Sequence, residues 1–273
     1  MLTVAAHAKV NLALVVGGRR DDGKHEVVTV VEKLGLADTV TVAPADALAV
    51  EGFAEDTIVR GALAALAERA GVEPRFAATI DKRIPVAAGL GGGSSDAAAA
   101  LRLANQLLPL SLARDVLEEV GATLGADVPL FLRQGAVLAI GDGSTVEPLS
   151  LPRDYHVVLW LPAAGEKKQS TGAVYRDFDR RDGAAGYDAR RAALIEALAA
   201  VTAPADLARL PLNDLASSPR AAKLLALGAF RADVTGAGPV LYGLFHDPQA
   251  AGAAAATLSS RGRTWLTAPA PDR

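Results

Sequence analysis

The sequence predicts an α+β fold in two lobes, on three observations. Apolar residues follow a strand period through the first fifty positions and switch to a helical period near residue 58. Strands then return as a block from residue 135 onward, without the strict strand–helix–strand alternation of a doubly wound parallel sheet. Alanine and leucine carry most of the apolar content while aromatics are 4% of the chain, so the core is built from small aliphatic side chains that let helices pack closely on a sheet. With 273 residues there is room for two modest lobes, and a boundary placed near 145–155, within the returning strands, divides the chain into 1–150 and 151–273.

The elements follow in order. "TVAAHAKVNLALVV" reads as one or two strands ending at Gly17–Gly18, and "RRDDGKHE" as a turn centred on Asp22–Gly23. The runs "VVTVVEKLGL", "TVTVAPA" and "LAVEGF" read as an antiparallel β region punctuated by Asp38 and by Pro44–Asp46. Ile58, Ala62, Leu63, Leu66 and Ala70 share one helical face, with Asp56 as N-cap and Gly71 just past the end. "RFAATIDKRIP" is a further strand. "SDAAAALRLANQLL" is a helix stopped by Pro109, and "SLARDVLEEVGATLG" a helix capped by Ser111 and ended near Gly125. Strands resume through "GAVLAIGDGSTVEPLSLPRDYHVVLWLP". Helices near 189–201 and 218–227 precede "RADVTGAGPVLYGLF" as strand, glycine turn and strand, then a helix in "DPQAAGAAAATLSSRG" and a last strand in "TWLTAPA".

Composition removes several function classes. The net charge of −3 and the lack of a basic block exclude the electrostatic footprint of a nucleic-acid binder; Arg19–Arg20 and Lys167–Lys168 read as solvated surface. The absence of cysteine removes disulfides, thiolate metal sites and thiol nucleophiles together, and fits a reducing compartment. His7, His25, His156 and His246 are scattered and form no metal-binding pattern, so no protein-held metal is expected. The apolar N-terminus lacks a basic flank and is broken by His7, Lys9 and Asn11. No uncharged apolar run reaches the roughly 18 residues that span a bilayer, which predicts a cytoplasmic protein with no membrane partner.

"IPVAAGLGGGSSDAAAAL" (84–101) is the segment that carries chemistry. It is not a Rossmann turn, because the sixth position after Gly89 is Ser94, and not a Walker loop, because Ser94, Ser95 and Asp96 follow Gly93 where a lysine is required. The physics of anion binding remains. The loop enters a helix expected to begin at Ser95–Ala97, and a helix N-terminus offers unpaired N–H groups and roughly half a unit of positive charge. Glycines 89, 91, 92 and 93 let the backbone wrap a phosphate, and Ser94 and Ser95 add hydroxyls.

"PVAAGLGGGSSDAAAAL" resembles the nucleotide loop of the GHMP kinases, Pro-x-x-x-Gly-Leu-Gly-x-Ser-Ser-x-Ala, with an extra glycine typical of one branch. "AKVNLAL" (8–14) and "VTGAGPVLYGLF" (234–245) resemble the family's N- and C-terminal motifs, and "LGADVPLFL" (124–132) resembles a segment characteristic of that branch. The resemblance implies an N-terminal lobe like ribosomal protein S5 and a ferredoxin-like C-terminal lobe. It implies ATP over Pro85, Val86, Ala87, Ala88, Gly89, Leu90, Gly91, Gly92, Gly93, Ser94 and Ser95, with Mg2+ carried on the nucleotide phosphates. In the family, Asp127 would be the base that deprotonates the acceptor alcohol. Lys9 would turn into the site to hold Asp127 ionised and offset charge on the transferred group, and Asn11, two residues along the same strand face, would lie near the reacting hydroxyl.

The branch in question phosphorylates the 2-hydroxyl of a cytidine diphosphate conjugate of methylerythritol. By its pattern His25 reads the cytosine, Thr171 and Tyr175 form the opposite wall, Gly236 contacts substrate, and Asn213–Asp214 is structural. Where the branch has an aromatic before that histidine, this chain has Lys24, whose aliphatic stem can cover a ring edge but cannot stack. Another GHMP kinase, acting on mevalonate, homoserine or a sugar, is the alternative within the class, and a silent nucleotide-binding paralogue the alternative outside it. Retention of both Lys9 and Asp127 argues against the latter. The expected state is a monomer or homodimer.

Overall fold

In the computed structural model the described residues are 1–54, 58–109, 111–163 and 170–271. The expected N-cap Asp56 and the Lys167–Lys168 pair lie outside them.

Two long strands form the spine. β1 (Leu2–Arg19) and β2 (His25–Pro44) pair antiparallel from Leu2 opposite Val42 to Arg19 opposite His25. The hairpin turns on Gly23 at φ 81°, with the Lys24 amide donating to Asp22 Oδ1 at 2.9 Å. The first apolar segment is therefore one strand, and the two expected runs 27–36 and 39–45 are also one. Asp38 does not punctuate them. It is fully buried within β2, where its carboxylate accepts the amides of Arg83 at 2.5 Å and Ile84 at 2.8 Å and pairs with Lys82 at 2.5 Å. A buried charge with a cation and two amide donors is satisfied, so the strand need not break.

The other edge of β2 is shared. Its second half pairs with β4 (Phe76–Asp81) and its first half with β5 (Ala136–Gly141), both antiparallel. β6 (Thr145–Leu149) extends the sheet beside β5. β3 (Ala49–Glu51), the core of "LAVEGF", runs parallel to β4, contrary to the antiparallel expectation, because α1 (Ile58–Ala70) carries the chain back across the sheet between them. α2 (Gly92–Leu107) buries an alanine-rich face on this sheet, and α1, α3 (Arg114–Leu124) and α4 (Val128–Leu132) pack around it in the same core. Ser111 does not cap α3, which begins at Arg114 without a side-chain cap; its hydroxyl instead donates to Asn105 O at 3.1 Å. Asn105 fixes the turn by donating to Leu112 O and accepting from Leu112 N.

The second sheet, in the order β10-β7-β9-β8, is antiparallel: β7 (His156–Pro162), β8 (Arg231–Val234), β9 (Leu241–Phe245) and β10 (Gly262–Thr267). α7 (Ala221–Ala226) and α8 (Pro248–Ser259) cover one of its faces. The other face meets the first lobe: Val10, Leu12, Val28 and Leu34 share a core with Val157, Leu159, Tyr242 and Leu244. The chain passes from one sheet to the other between Leu149 and His156. α5 (Thr171–Arg180), which the residue pattern did not reveal, and α6 (Tyr187–Ala199) lie beside the start of β2 and β1.

Candidate active site

β1 is covered on both faces, and this settles the direction of its one lysine. Ala8, Val10 and Leu12 enter the shared core, so Lys9 and Asn11 project to the opposite side, where both are about 95% buried (4% and 5% exposed). There they meet a cavity of ≈550 Å³. Its walls are β1, the segment Pro85–Gly91 with the first residues of α2, Ala126–Asp127 ahead of α4, Thr171 and Tyr175 of α5, and Gly236–Gly238 after β8. An adjoining cavity of ≈530 Å³ shares Ser94, Asp127, Thr171 and Tyr175 and extends to Lys24 and His25.

The glycine segment is strapped down by backbone bonds. Lys9 N donates to Leu90 O at 2.9 Å, and Val240 N to Ala88 O at 3.4 Å. Gly89 has φ 82°, and a Cβ there would lie 2.4 Å from the Thr235 carbonyl. Gly91 has φ 70°, and a Cβ there would press on the Phe131 ring at 2.9 Å and on Lys9 Cγ at 3.0 Å. Only glycine meets both conditions. Gly91 is the N-cap of α2, so the helix starts at Gly92, three residues before the expected Ser95. The amides left without an intrahelical partner are then those of Gly92, Gly93 and Ser94, all on the cavity wall. Ser95 is displaced by the same shift. Its amide bonds Gly91 O at 2.9 Å and its side chain, 2% exposed, belongs to a different cavity, so it does not face this one.

Lys9 Nζ stands 3.5 Å from Asp127 Oδ2 and donates to Asn11 Oδ1 at 2.7 Å. Asn11 Nδ2 donates to Thr29 Oγ1 at 2.9 Å, and Thr29 in turn to Ala13 O at 2.7 Å, which orients the amide. Asn11 N donates to Thr235 Oγ1 at 3.2 Å, and Thr235 Oγ1 lies 3.2 Å from Gly89 O. Thr235 thus ties β1 to the loop from the second lobe. It was not singled out from the sequence, although it sits inside the "VTGAGP" motif that was.

Gly236 lies against Lys9, Asn11 and Gly89. Its turn is held by Asn213, whose Nδ2 donates to Val234 O at 2.9 Å and Gly236 O at 2.7 Å while Oδ1 accepts from Leu215 N and Ala216 N. Asp214 accepts from Val16 N at 3.0 Å and Arg190 Nε at 2.9 Å. The Asn213–Asp214 pair therefore joins the lobes rather than facing the cavity.

His25, the first residue of β2, is buried, with Nε2 2.6 Å from Asp179 Oδ1 and its ring stacked on Tyr175 at 4.6 Å. Burial, and secondarily Asp127, pushes the Tyr175 hydroxyl up to about 12. Lys24 pairs with Asp142 at 2.5 Å. Burial alone would raise Asp142, but hydrogen bonds from Lys24 and Ser144 outweigh it and hold the carboxyl down at about 2. Lys82, also unanticipated, reaches the cavity wall beside Gly92 and bridges Asp38 and Asp96, the latter at 2.7 Å. Burial pushes Asp96 up to about 7 despite that contact. Among the described residues no group of three or more His, Asp or Glu converges on a metal position, and no helix is long and apolar enough to cross a membrane.

Comparison with known proteins matches this arrangement. The model "GHMP kinases N terminal domain" matches residues 57–135 and "GHMP kinases C terminal" residues 220–264. A 4-diphosphocytidyl-2-C-methyl-D-erythritol kinase of Rhodococcus jostii is 38% identical, over 99% of this chain and 93% of its own length. One of Streptomyces avermitilis is 37% identical, over 99% and 97%. A crystal structure of 4-(cytidine 5′-diphospho)-2C-methyl-D-erythritol kinase superposes with a TM-score of 0.78 at 32% identity, covering 99% of this chain and 100% of the other. On likeness that spans both lobes, the chain belongs to the GHMP kinase family, in the branch of the 4-diphosphocytidyl-2-C-methyl-D-erythritol kinases.

Proposed function

We propose that this kinase transfers a phosphoryl group from ATP to the 2-hydroxyl of 4-diphosphocytidyl-2-C-methyl-D-erythritol, a step in the non-mevalonate route to isoprenoid precursors. The observation that carries the reading is the Lys9–Asp127 pair, 3.5 Å apart, facing a cavity whose far wall is the glycine loop. The residues present suit a triphosphate: the free amides of Gly92, Gly93 and Ser94 cluster at a helix N-terminus, and Gly89 and Gly91 let the loop seat against Thr235, Phe131 and Lys9 in the shape that presents those amides to the cavity. Bound ATP supplies the phosphoryl group, with Mg2+ on its phosphates.

The chain's own groups do the rest. Asp127, with its side chain 44% exposed to the cavity, takes the proton of the attacking hydroxyl. Lys9 holds that carboxylate in place and sets a fixed positive charge where negative charge builds up. Asn11, oriented by Thr29, accepts a hydrogen bond from Lys9 Nζ and keeps the ammonium aimed at Asp127. The second cavity, with Thr171, Tyr175, His25 and Lys24, takes the cytidine end, and Gly236 lines the passage between the lobes. The enzyme works in the cytoplasm, as a monomer or homodimer.

ADP release by the purified chain, with the cytidyl alcohol, mevalonate and homoserine offered in parallel, tests the assignment. Turnover confined to the cytidyl alcohol is expected; turnover of a non-cytidyl alcohol alone overturns it.

A further inference from the structure

One buried ionic cluster beside the glycine loop has no part in the chemistry described so far. Lys82, in the segment after β4, donates to Asp38 Oδ2 of β2 at 2.5 Å and to Asp96 Oδ2 of α2 at 2.7 Å. Asp38 is fully buried and Asp96 is 2% exposed. Two carboxylates therefore share one ammonium out of water. With both ionised the cluster carries an excess negative charge, which is costly to bury.

The surroundings decide which carboxylate gives way. Asp38 Oδ1 also accepts the amides of Arg83 at 2.5 Å and Ile84 at 2.8 Å, so Asp38 is satisfied as an anion. Asp96 has its Lys82 contact on Oδ2, while Oδ1 is buried with no hydrogen-bond partner among the described residues. Asp96 is thus the group that takes a proton. Burial pushes it up to about 7 against the pull of Lys82, with Asp38 adding to the rise.

The same lysine faces the glycine loop. Lys82 lines the loop cavity, and a Cβ on Gly92 would lie 3.3 Å from its Nζ. Gly92 carries one of the amides assigned above to the triphosphate. Asp96 follows it by four residues, about 6 Å along the helix axis. An anion seated on that amide adds negative charge near Asp96 and competes with it for the Lys82 ammonium. Both effects favour a neutral Asp96, and the buried setting keeps them strong.

We propose that filling the glycine loop with nucleotide is coupled to the uptake of a proton by Asp96, with Lys82 the link between them. The coupling rests on the nucleotide reading of the loop given above, and it is reciprocal: nucleotide binds more tightly where Asp96 is already neutral. Affinity therefore falls as pH rises through about 7. At pH 7 a group of that value is half protonated, so uptake reaches at most about half a proton per nucleotide.

Calorimetric titration of the full chain with a non-hydrolysable ATP analogue and saturating Mg2+, in two buffers of different ionisation heat, tests the proposal. At pH 7 the wild type is expected to take up protons on binding, and less at pH 5.5, where Asp96 already holds one. Asp96→Asn mimics the neutral carboxyl. It is expected to bind the analogue, to take up fewer protons at pH 7, and to show a flatter affinity between pH 6 and 8. Binding by the wild type without buffer dependence at pH 7 overturns the proposal, as does the same uptake in Asp96→Asn. Should that variant not fold, wild-type uptake that is undiminished at pH 5.5 overturns it. The binding of the analogue itself, read in the same titration, tests the nucleotide reading separately.

Discussion

Asp127→Asn separates chemistry from architecture at this site. The substitution keeps the shape of the side chain and removes its ability to take a proton. General base catalysis contributes about 10²- to 10⁴-fold, or about 2.7–5.4 kcal/mol of barrier at 1.36 kcal/mol per decade. The structural consequence is small. The Asp127 side chain is 44% exposed, so its ion pair with Lys9 is screened and worth about 0–1 kcal/mol. Lys9 also keeps its 2.7 Å hydrogen bond to Asn11 Oδ1 and is not left unpartnered. A chain of this size loses roughly 2–4 °C of melting temperature per kcal/mol, so the variant melts within about 4 °C of wild type. Asp127 is not part of the Pro85–Ser94 wall, so the KM for ATP stays within about twofold and the loss falls on kcat. Steady-state ADP release with the cytidyl alcohol and a thermal melt on the same preparation check both halves. A kcat within about threefold of wild type refutes Asp127 as the base; a large fall in melting temperature refutes the claim that the residue serves chemistry alone.

The remaining predictions concern the scaffold. Gly91→Ala places a Cβ 2.9 Å from the Phe131 ring and 3.0 Å from Lys9 Cγ at a left-handed φ, which costs about 1–2 kcal/mol of backbone strain before any clash; kcat/KM for ATP is expected to fall at least about tenfold, and a wild-type value speaks against a tight loop. Asn213→Ala removes four hydrogen bonds to the backbone, those to the carbonyls of Val234 and Gly236 and those from the amides of Leu215 and Ala216, at about 1 kcal/mol each in net hydrogen bonding, so the melt drops by roughly 8–16 °C. Glu32, whose folded value of about 7 lies above its ordinary value, is protonated in the folded chain where the unfolded chain is ionised. Its contribution to stability is therefore present at low pH and lost as pH rises towards about 7; Asp96, raised to about 7, acts in the same direction. Glu32→Gln is expected to flatten the fall in melting temperature between pH 5 and 7, and an unchanged slope assigns that fall to other groups.

Much of the site was legible because local motifs place their own residues. Lys9 and Asn11 share a strand face by the two-residue period, and the loop's glycines announce a backbone that something approaches. The elements missed are those whose pattern is faint. α5 is ten residues long with only Val174, Tyr175 and Phe178 on its apolar face, too short a run to stand out among charged neighbours, and α4 is five residues long. Asp38 read as a strand breaker because its partners, Lys82 and the amides of Arg83 and Ile84, lie about 45 residues away in the chain. The start of α2 was placed at Ser95 because Gly92 and Gly93 are poor helix formers; packing against Ile84 and Ile58 places them in the first turn regardless.

The division follows the range of the forces. Periodicity, turn glycines and ordered motifs act over a few residues, and they were enough to specify an α+β chain, a glycine loop at a helix start and the pairing of Lys9 with Asp127. Which face of a residue meets the cavity depends on contacts between distant segments. Those contacts moved Ser95 away from the glycine-loop cavity, brought Thr235 of the second lobe onto Asn11, and stacked His25 on Tyr175. Burial gives such meetings their energetic weight, since removing charges from water forces each to find a partner, and the sequence alone does not say which partner is near.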